Sequence, residues 1–346
     1  MIFSSQKLRD FILIHKSNCF DTARLVAAMM VLISHHYALS GQLEPYIFGF
    51  ESAGGIAVII FFSISGYLIS KSAIRSDSFI DFMAKRARRI FPALVPCSVL
   101  TYFLFGWMLN NFSTEYFSHD IIRKTISSIL MSQAPDADIT SHLIHPGING
   151  SLWTLPLEFM CYIITGVAVA LLKSGKTFIV ILLIFVSLSL VESVSENKDV
   201  IFSIPVWLYP LRGMAFFFGA TMAMYEKSWN VSNVKISVIS LLAMYAYASY
   251  GKGIDYTMAC YILVSFSTIA ICTSFGDPLV KGRFDYSYGV YIYAFPVQQV
   301  IINTLHIGFY PSMLLSAIVV LFLAHLSWNL IEKRFLTRSS PKLSLN

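Results

Sequence analysis

The stretch from Asp21 to Tyr37, DTARLVAAMMVLISHHY, is an apolar segment with an arginine near its start and two histidines near its end. Arg24 and His35 are eleven residues apart, which on an α-helix is within about 20° of three full turns and a rise of about 16 Å. The two side chains therefore share one helix face, whereas His36 points about 120° away from Arg24. Because ionisable groups within a membrane span usually face a bundle interior or a watery cavity, this segment predicts one wall of a polar central shaft.

The composition indicates that this shaft lies in a membrane. Of the 346 residues, 56% are hydrophobic and only 13% are charged, whereas a soluble domain carries roughly 25% charged residues. Apolar runs long enough to cross about 30 Å of hydrocarbon recur along the chain. We predict an all-α integral membrane protein with about ten transmembrane helices, at residues 21–40, 54–72, 90–109, 152–172, 177–192, 206–224, 234–250, 256–275, 286–304 and 311–331. The runs 177–192 and 234–250 are short, which is compatible with tilted or interfacial helices.

The lysines and arginines are distributed unevenly between the two sides of the predicted bundle. With a cytoplasmic N-terminus, nineteen of the twenty-five fall in segments that face the cytoplasm and four in outer loops, while Arg24 and Arg212 lie inside spans. Positive charge accumulates on the cytoplasmic side of membrane proteins. The sequence therefore predicts both termini inside, with a cytoplasmic segment 1–20, a membrane domain 21–334 and a cytoplasmic tail 335–346. The net charge of +6 is then a topology signal and no reason to expect nucleic acid.

The second span, GGIAVIIFFSISGYLIS from Gly54 to Ser70, is rich in small residues. Small side chains allow helix backbones to approach closely. This pattern predicts tight packing of the second helix, with the small residues at Gly54, Gly55, Ser63, Ser65 and Gly66.

A basic cluster precedes the third span, in FMAKRARRIFPAL from Phe82 to Leu94. Arg86 and Arg89 are three residues apart and share a face if this segment is the cytoplasmic extension of the third helix. One interpretation is an ordinary topology signal. The other is an anion site, because the guanidinium fork matches phosphate oxygens. On the cytoplasmic side the ligand would be a nucleotide-containing cofactor.

A lone carboxylate, Glu158, lies in the apolar segment NGSLWTLPLEFMCY, which runs from Asn149 to Tyr162. If Trp153 anchors the outer end of this span at the membrane interface, Glu158 is about 9 Å deep, close to the depth of His35. A buried carboxylate and a buried histidine at one level predict an acid–base pair. The alternative is that the two pack separately and that Glu158 pairs with Arg212.

In order and spacing, these motifs resemble the acyltransferase 3 family of bacterial membrane O-acyltransferases, over residues 21–334. The resemblance rests on the arginine–ten–histidine motif of Arg24 and His35, FFSISGYLI, the basic motif of Arg86 and Arg89, SLWTLPLEF with Glu158, SYGVYIYAFPVQQ, and the terminal Glu332, Lys333 and Arg334. In one departure, Ala294 stands where many relatives carry a histidine, so that any role of this histidine is absent or moved to Gln298. Many relatives also carry an appended hydrolase-like domain, and none is expected here.

The resemblance implies an acyl-CoA-dependent O-acyltransferase in the bacterial inner membrane. Family members take an acyl group, usually acetyl, from cytoplasmic acyl-CoA and place it on hydroxyls of extracytoplasmic glycans such as O-antigen or exopolysaccharide. On this basis acetyl-CoA binds through Arg24, Arg86 and Arg89. His35 acts as general base or briefly carries the acyl group, and Glu158 orients the imidazole. The expected partners are acyl-CoA, the glycan acceptor and membrane lipid, with no metal.

The competing function class is a transporter or flippase for a glycan or small molecule, without covalent chemistry. About ten spans, broken helices and intramembrane charges fit that class as well. The span pattern has no evident internal repeat, however, and the charged motifs are placed unevenly, which favours the acyltransferase. The five cysteines lie in or beside spans, and their spacing fits neither a metal site nor a disulfide framework.

Overall fold

The computed structural model describes residues 18–132, 136–172, 174–194, 200–201, 204–205 and 208–337. The helices of the first half are α1 (Phe20–Leu39), α2 (Ala53–Ile74), α3 (Phe79–Leu100), α4 (Ile121–Ile129) and α5 (Thr154–Leu172). Those of the second half are α6 (Gly175–Val194), α7 (Leu208–Met224), α8 (Ser232–Ala248), α9 (Ile254–Cys272), α10 (Ser287–Leu305) and α11 (Phe309–Ser327). The predicted cytoplasmic segments 1–20 and 335–346 lie outside the described residues, apart from three residues of each.

Shorter elements extend or join these helices. α3 continues through a π-helical turn at Thr101–Phe105 into Gly106–Leu109, and α11 through one at Trp328–Glu332 into Lys333–Thr337. There are 3₁₀ turns at Thr114–Ser118 and Gly150–Trp153 and single α-helical turns at Ala137–Thr140 and Glu226–Trp229. Two antiparallel pairs of two-residue strands join β1 (Tyr46–Ile47) to β2 (Glu51–Ser52) and β3 (Val200–Ile201) to β4 (Ile204–Pro205), with Tyr46 opposite Ser52 and Val200 opposite Pro205.

Within the described residues, seven helices are long and apolar enough to cross a membrane. They are Phe20–Leu39, Ala53–Ile74, Phe79–Leu109, Gly150–Leu172, Gly175–Ser193, Ile254–Cys272 and Phe309–Leu336. Each of the ten predicted stretches overlaps a helix, but α7 and α8 have only 17 residues, and α10 carries tyrosine, glutamine and asparagine along its 19. Most of α10 is buried in protein, so its polar side chains need not meet lipid. The chain is thus all-α with several membrane-length helices, and the count of ten spans stays a prediction.

The helix that carries the basic cluster begins earlier than the predicted third span. The Ser78 hydroxyl accepts a hydrogen bond from the Asp81 amide at 3.1 Å, which is the usual N-cap interaction, and α3 starts at Phe79. Arg86 and Arg89 therefore lie on α3 itself, as predicted for a cytoplasmic extension of this helix.

α2 forms the centre of the bundle, where it packs against α1, α7 and α9. Its approach to α7 is close, because a Cβ atom at Gly66 would lie 1.8 Å from the carbonyl oxygen of Phe216. A Cβ atom at Gly219 would likewise lie 2.2 Å from the carbonyl oxygen of Ser63. The predicted tight packing of the second helix is confirmed, and α7 is its partner.

Candidate active site

The three arginines predicted to bind the cofactor line one cavity of about 420 Å³, which we call the inner cavity. Its walls come mainly from α1, α2, α3, α5 and α10. Its polar lining consists of Arg24, Ser65, Ser72, Arg75, Lys85, Arg86, Arg89, Thr154, Glu158, Tyr162, Asp285, Ser287, Tyr288 and Tyr291.

Two of these arginines are already paired with carboxylates. Arg89 binds Asp285 at 2.6 Å and Glu332 at 3.4 Å, and Arg24 binds Asp21 and, at 3.7 Å, the same Asp285. Burial raises the pKa of Asp285, but Arg89 and Arg24 beside it hold that pKa well below its usual range. Asp285 therefore stays ionised and fixes both guanidinium groups to the wall of the inner cavity.

Arg86 differs from its two neighbours, because it makes no ion pair with a carboxylate in the part of the chain that the structure describes. Its nearest polar contact is the Ser72 hydroxyl at 3.4 Å, and its Nε is buried without a hydrogen-bond partner. An unpaired cation in a half-buried setting is costly unless a ligand supplies the counter-charge. Arg86 is thus the arginine best suited to hold an anionic ligand.

Glu158 also lies in the inner cavity, together with the arginines. Its carboxylate accepts hydrogen bonds from Ser65 Oγ at 2.7 Å and from the Tyr162 hydroxyl at 2.5 Å. Neither His35 nor Arg212 is a hydrogen-bond or ion-pair partner of Glu158 among the described residues. Arg212 instead pairs with Glu51 at 3.1 Å. The structure therefore brings Glu158 to the arginines and does not bring it to His35.

His35 lines a second cavity of about 480 Å³, which we call the outer cavity. Its polar lining consists of His35, Glu44, Tyr102, Ser128, Ser132, Asp136, Thr140, His145 and Asn149. The cavity that the imidazole faces is thus lined by carboxylates, hydroxyls and the aromatic rings of Tyr102 and Phe295. Such a lining offers many hydrogen-bond acceptors and donors to a ligand rich in hydroxyl groups.

The two adjacent histidines have different surroundings, as their angular separation predicts. His35 Nδ1 lies 3.5 Å from Ser151 Oγ, and its ring meets the Phe295 ring edge-to-face at 5.2 Å. His36 is buried away from the cavity, with Nε2 3.0 Å from both the Phe309 carbonyl oxygen and Ser312 Oγ. His36 therefore ties α1 to α11, and only His35 is placed to meet a ligand.

Gln298 is the residue that could take over the role of the histidine replaced by Ala294. Its Nε2 donates to the Leu32 carbonyl oxygen at 2.8 Å and lies 3.3 Å from His36 Nδ1. Gln298 is buried beside His36 and is not among the residues that line the outer cavity. It therefore supports the packing of α1 on α10.

The loop between α3 and α5 supplies part of the wall of the outer cavity, which sequence reasoning missed. Asp136 accepts hydrogen bonds from the Tyr102 hydroxyl at 3.2 and 3.3 Å, and burial raises the pKa of its carboxyl group. His145 belongs to the same loop and lines the same cavity. Single polar residues in a loop carry no periodic signal, so nothing in the sequence distinguished these two from solvent-exposed residues.

Taken together, the geometry offers one cavity lined by arginines and a second cavity lined by His35. A phosphate-bearing ligand fits the inner cavity because Arg86 makes no ion pair with a carboxylate among the described residues. A hydroxyl-bearing ligand fits the outer cavity because an imidazole there can take a proton from a hydroxyl group. The two cavities together suit transfer of a group between two ligands.

Comparison with known proteins agrees with this chemistry. The chain matches the acyltransferase 3 family, described as an acyltransferase domain, over residues 17–330. It is 90% identical to an O-acetyl transferase of Shigella phage Sf6 over 332 residues, which are 96% of this chain and 100% of the relative. It is 24% identical to nodulation protein 10 of Rhizobium leguminosarum bv. viciae over 92% of this chain and 93% of that protein. No solved structure gives a significant match. The chain belongs to the acyltransferase 3 family.

Proposed function

We propose that this protein transfers an acetyl group from cytoplasmic acetyl-CoA to a hydroxyl group of an extracytoplasmic glycan, such as O-antigen or exopolysaccharide, across the bacterial inner membrane. The family match and the O-acetyl transferase of Shigella phage Sf6 support the reaction class. The observation that carries the proposal is the pair of cavities, one with the unpaired Arg86 and the other with His35.

The donor occupies the inner cavity in this proposal. Arg86 binds a phosphate of CoA, because a guanidinium that no carboxylate engages in an ion pair gains most from a charge-assisted hydrogen bond. Arg24 and Arg89, which Asp285 neutralises in part, shape the wall along which the pantetheine arm runs. Glu158, held by Ser65 and Tyr162, lies beside the same path.

The acceptor occupies the outer cavity, where His35 is the general base. The imidazole takes the proton of the sugar hydroxyl while the hydroxyl oxygen attacks the thioester carbonyl carbon. The tetrahedral intermediate then expels the CoA thiolate as the carbon–sulfur bond breaks, and the thiolate takes the proton from the imidazolium. The products are the acetyl ester of the glycan and free CoA thiol.

The test is transfer by purified protein in liposomes that contain glycan from cells lacking the gene. With acetyl-labelled acetyl-CoA, we expect label in the glycan, detected by mass spectrometry. Movement of glycan or of small molecules across the membrane without labelling would overturn the proposal in favour of a transporter.

The same assay distinguishes the role of Arg86 in donor binding from the structural role of Arg89. Arg86→Gln should raise the KM for acetyl-CoA about tenfold or more, since a hydrogen bond to a charged group contributes about 1.5–3 kcal/mol. Arg89→Gln is the matched control on the same helix. Because it breaks contacts to Asp285 and Glu332, it should mainly reduce the amount of folded protein. A normal KM for the Arg86 variant would remove the phosphate site from this position.

A further inference from the structure

One short segment contributes to the walls of both the inner cavity and the outer cavity. Gly150 and Leu152 line the outer cavity, while Thr154 and Leu155 line the inner cavity. We call the six residues from Gly150 to Leu155 the partition. They comprise the 3₁₀ turn Gly150–Trp153 and the first two residues of α5. An acyl group that leaves a donor in one cavity for an acceptor in the other would therefore pass beside this segment.

Tyr291 of α10 fastens the partition at two points. Its hydroxyl donates a hydrogen bond to the Ser151 carbonyl oxygen at 2.8 Å and lies 2.6 Å from Thr154 Oγ1. All three residues are buried, so that these hydrogen bonds are not replaced by water when they break. Tyr291 itself lines the inner cavity, which places the fastening hydroxyl where the donor would lie.

Two further contacts from α10 fix the outer end of the partition. Asn149 Nδ2 donates to the Ile292 carbonyl oxygen at 3.0 Å. At Gly150 a Cβ atom would lie 2.5 Å from Cε2 of the Phe295 ring, so the ring lies directly on the backbone. α10 therefore sets the position of the whole segment.

The partition also positions His35. Ser151 Oγ is 3.5 Å from His35 Nδ1, and Phe295, which packs on Gly150, meets the His35 ring edge-to-face. A displacement of the partition would therefore move the nearest polar neighbour of the imidazole.

We infer that Tyr291 is a positioning residue whose hydroxyl holds the partition between the donor and acceptor cavities and, through Ser151, keeps His35 in place. This inference rests on the proposed function for its catalytic consequence. While Tyr291 holds the partition in place, the sugar hydroxyl beside His35 reaches the thioester and the water of the outer cavity does not. When the hydrogen bonds of Tyr291 to Ser151 and Thr154 are lost, water replaces the sugar hydroxyl as the attacking group, and the products are acetate and CoA thiol.

The first experiment compares Tyr291→Phe with Tyr293→Phe, a second buried tyrosine of the same helix that lines neither cavity. Tyr291→Phe should leave the KM for acetyl-CoA within about twofold, lower the transfer rate at least tenfold, and raise the share of acetyl-CoA lost to hydrolysis. Tyr293→Phe should match the parent protein in all three quantities. An unchanged ratio of transfer to hydrolysis in Tyr291→Phe, or a raised KM with a normal ratio, would overturn the inference. Thr154→Val, which removes one of the two fastening contacts, should shift the ratio in the same direction.

The second experiment does not depend on acyl transfer. Ser65 lines the inner cavity, so Ser65→Cys reports access to that cavity by a membrane-impermeant maleimide, with the parent chain as the background. We expect labelling from one face of sealed vesicles in the Ser65→Cys protein and from both faces when Tyr291→Ala is added. Labelling from one face in both proteins would overturn the partition. If the parent protein shows no transfer but adding Tyr291→Ala still makes Ser65→Cys accessible from both faces, the proposed function is refuted and the role of Tyr291 in holding the partition stands.

Discussion

At the scale of single residues, two neighbours in the sequence have separate tasks. His35→Ala should lower transfer roughly a hundredfold or more, which is the usual contribution of a general base, while melting temperature in detergent stays near that of the parent. His36→Ala should instead lower the melting temperature and leave the transfer rate per folded molecule near that of the parent. It removes a buried hydrogen-bonding partner of Gln298 and Ser312, which costs about 1–3 kcal/mol of folding free energy. Rates per folded molecule and melting curves for both variants measure this. Equal loss of rate per folded molecule would contradict the division of tasks.

Glu158 gives a second prediction at this scale. Glu158→Gln keeps the shape of the side chain but removes the charge that Ser65 and Tyr162 stabilise in the inner cavity. We expect an altered KM for acetyl-CoA and an unmoved acid side of the pH–rate profile, because His35 lies in the other cavity. The pairing predicted from sequence would instead move that side of the profile to lower pH. The profile is measured in membranes, with the parent protein as the reference. A shift of its acid side to lower pH would support the pairing of Glu158 with His35 after all.

The misplaced pairing has a physical cause. The depth of Glu158 was counted from Trp153 as though that residue marked the outer surface of the membrane. In the structure Trp153 packs against the main hydrophobic core and belongs to the partition between the cavities. Counting residues along a helix gives relative depth well, but it fails when the starting residue packs against the protein core and does not mark the membrane surface. The arginine–histidine spacing within α1 needed no such reference. Both residues line cavities, but Arg24 lines the inner cavity and His35 the outer cavity, where the spacing predicted one shaft.

At the scale of elements, the apolar runs predicted the helices because length and hydrophobicity are properties of each run alone. Which helix packs on which depends on side chains distant in sequence. The small residues of α2 indicated close packing, yet nothing near them identified α7. Ion-pair partners were equally impossible to predict from sequence. Asp285, two residues before α10, joins Arg24 of α1 to Arg89 of α3, and all three are far apart in the chain.

The contact between α2 and α7 carries a prediction of its own. Gly66→Ala and Gly219→Ala each place a methyl group against a backbone carbonyl oxygen, which cannot rotate away as a side chain can. Overpacking of this kind costs about 1–3 kcal/mol, so we expect a lower melting temperature and less accumulated protein. Gly175→Ala is the control, because the nearest atom to a Cβ there is 3.5 Å away. Similar melting temperatures for all three variants would show that the two helices can separate at little cost.

At the scale of the whole molecule, charge and cavities give a direction to the reaction. Arg75 directly follows α2 and Lys85 lies in the basic first part of α3. Both line the inner cavity, on the side predicted to carry nineteen of the lysines and arginines. Positive charge favours the cytoplasmic side, so the inner cavity should open to the cytoplasm and the outer cavity away from it.

This orientation predicts a one-sided requirement for the donor. CoA carries several charges and does not cross a sealed bilayer, because burying such charges in hydrocarbon is prohibitive. Labelled acetyl-CoA should therefore support glycan acetylation only from the cytoplasmic face, that is, when added to inside-out vesicles or trapped within right-side-out vesicles. Permeabilisation with detergent should make the two preparations equal, which controls for differences in protein amount. Equal labelling from both faces of sealed vesicles would mean that the donor reaches its site from either side, which contradicts an inner cavity open to the cytoplasm alone.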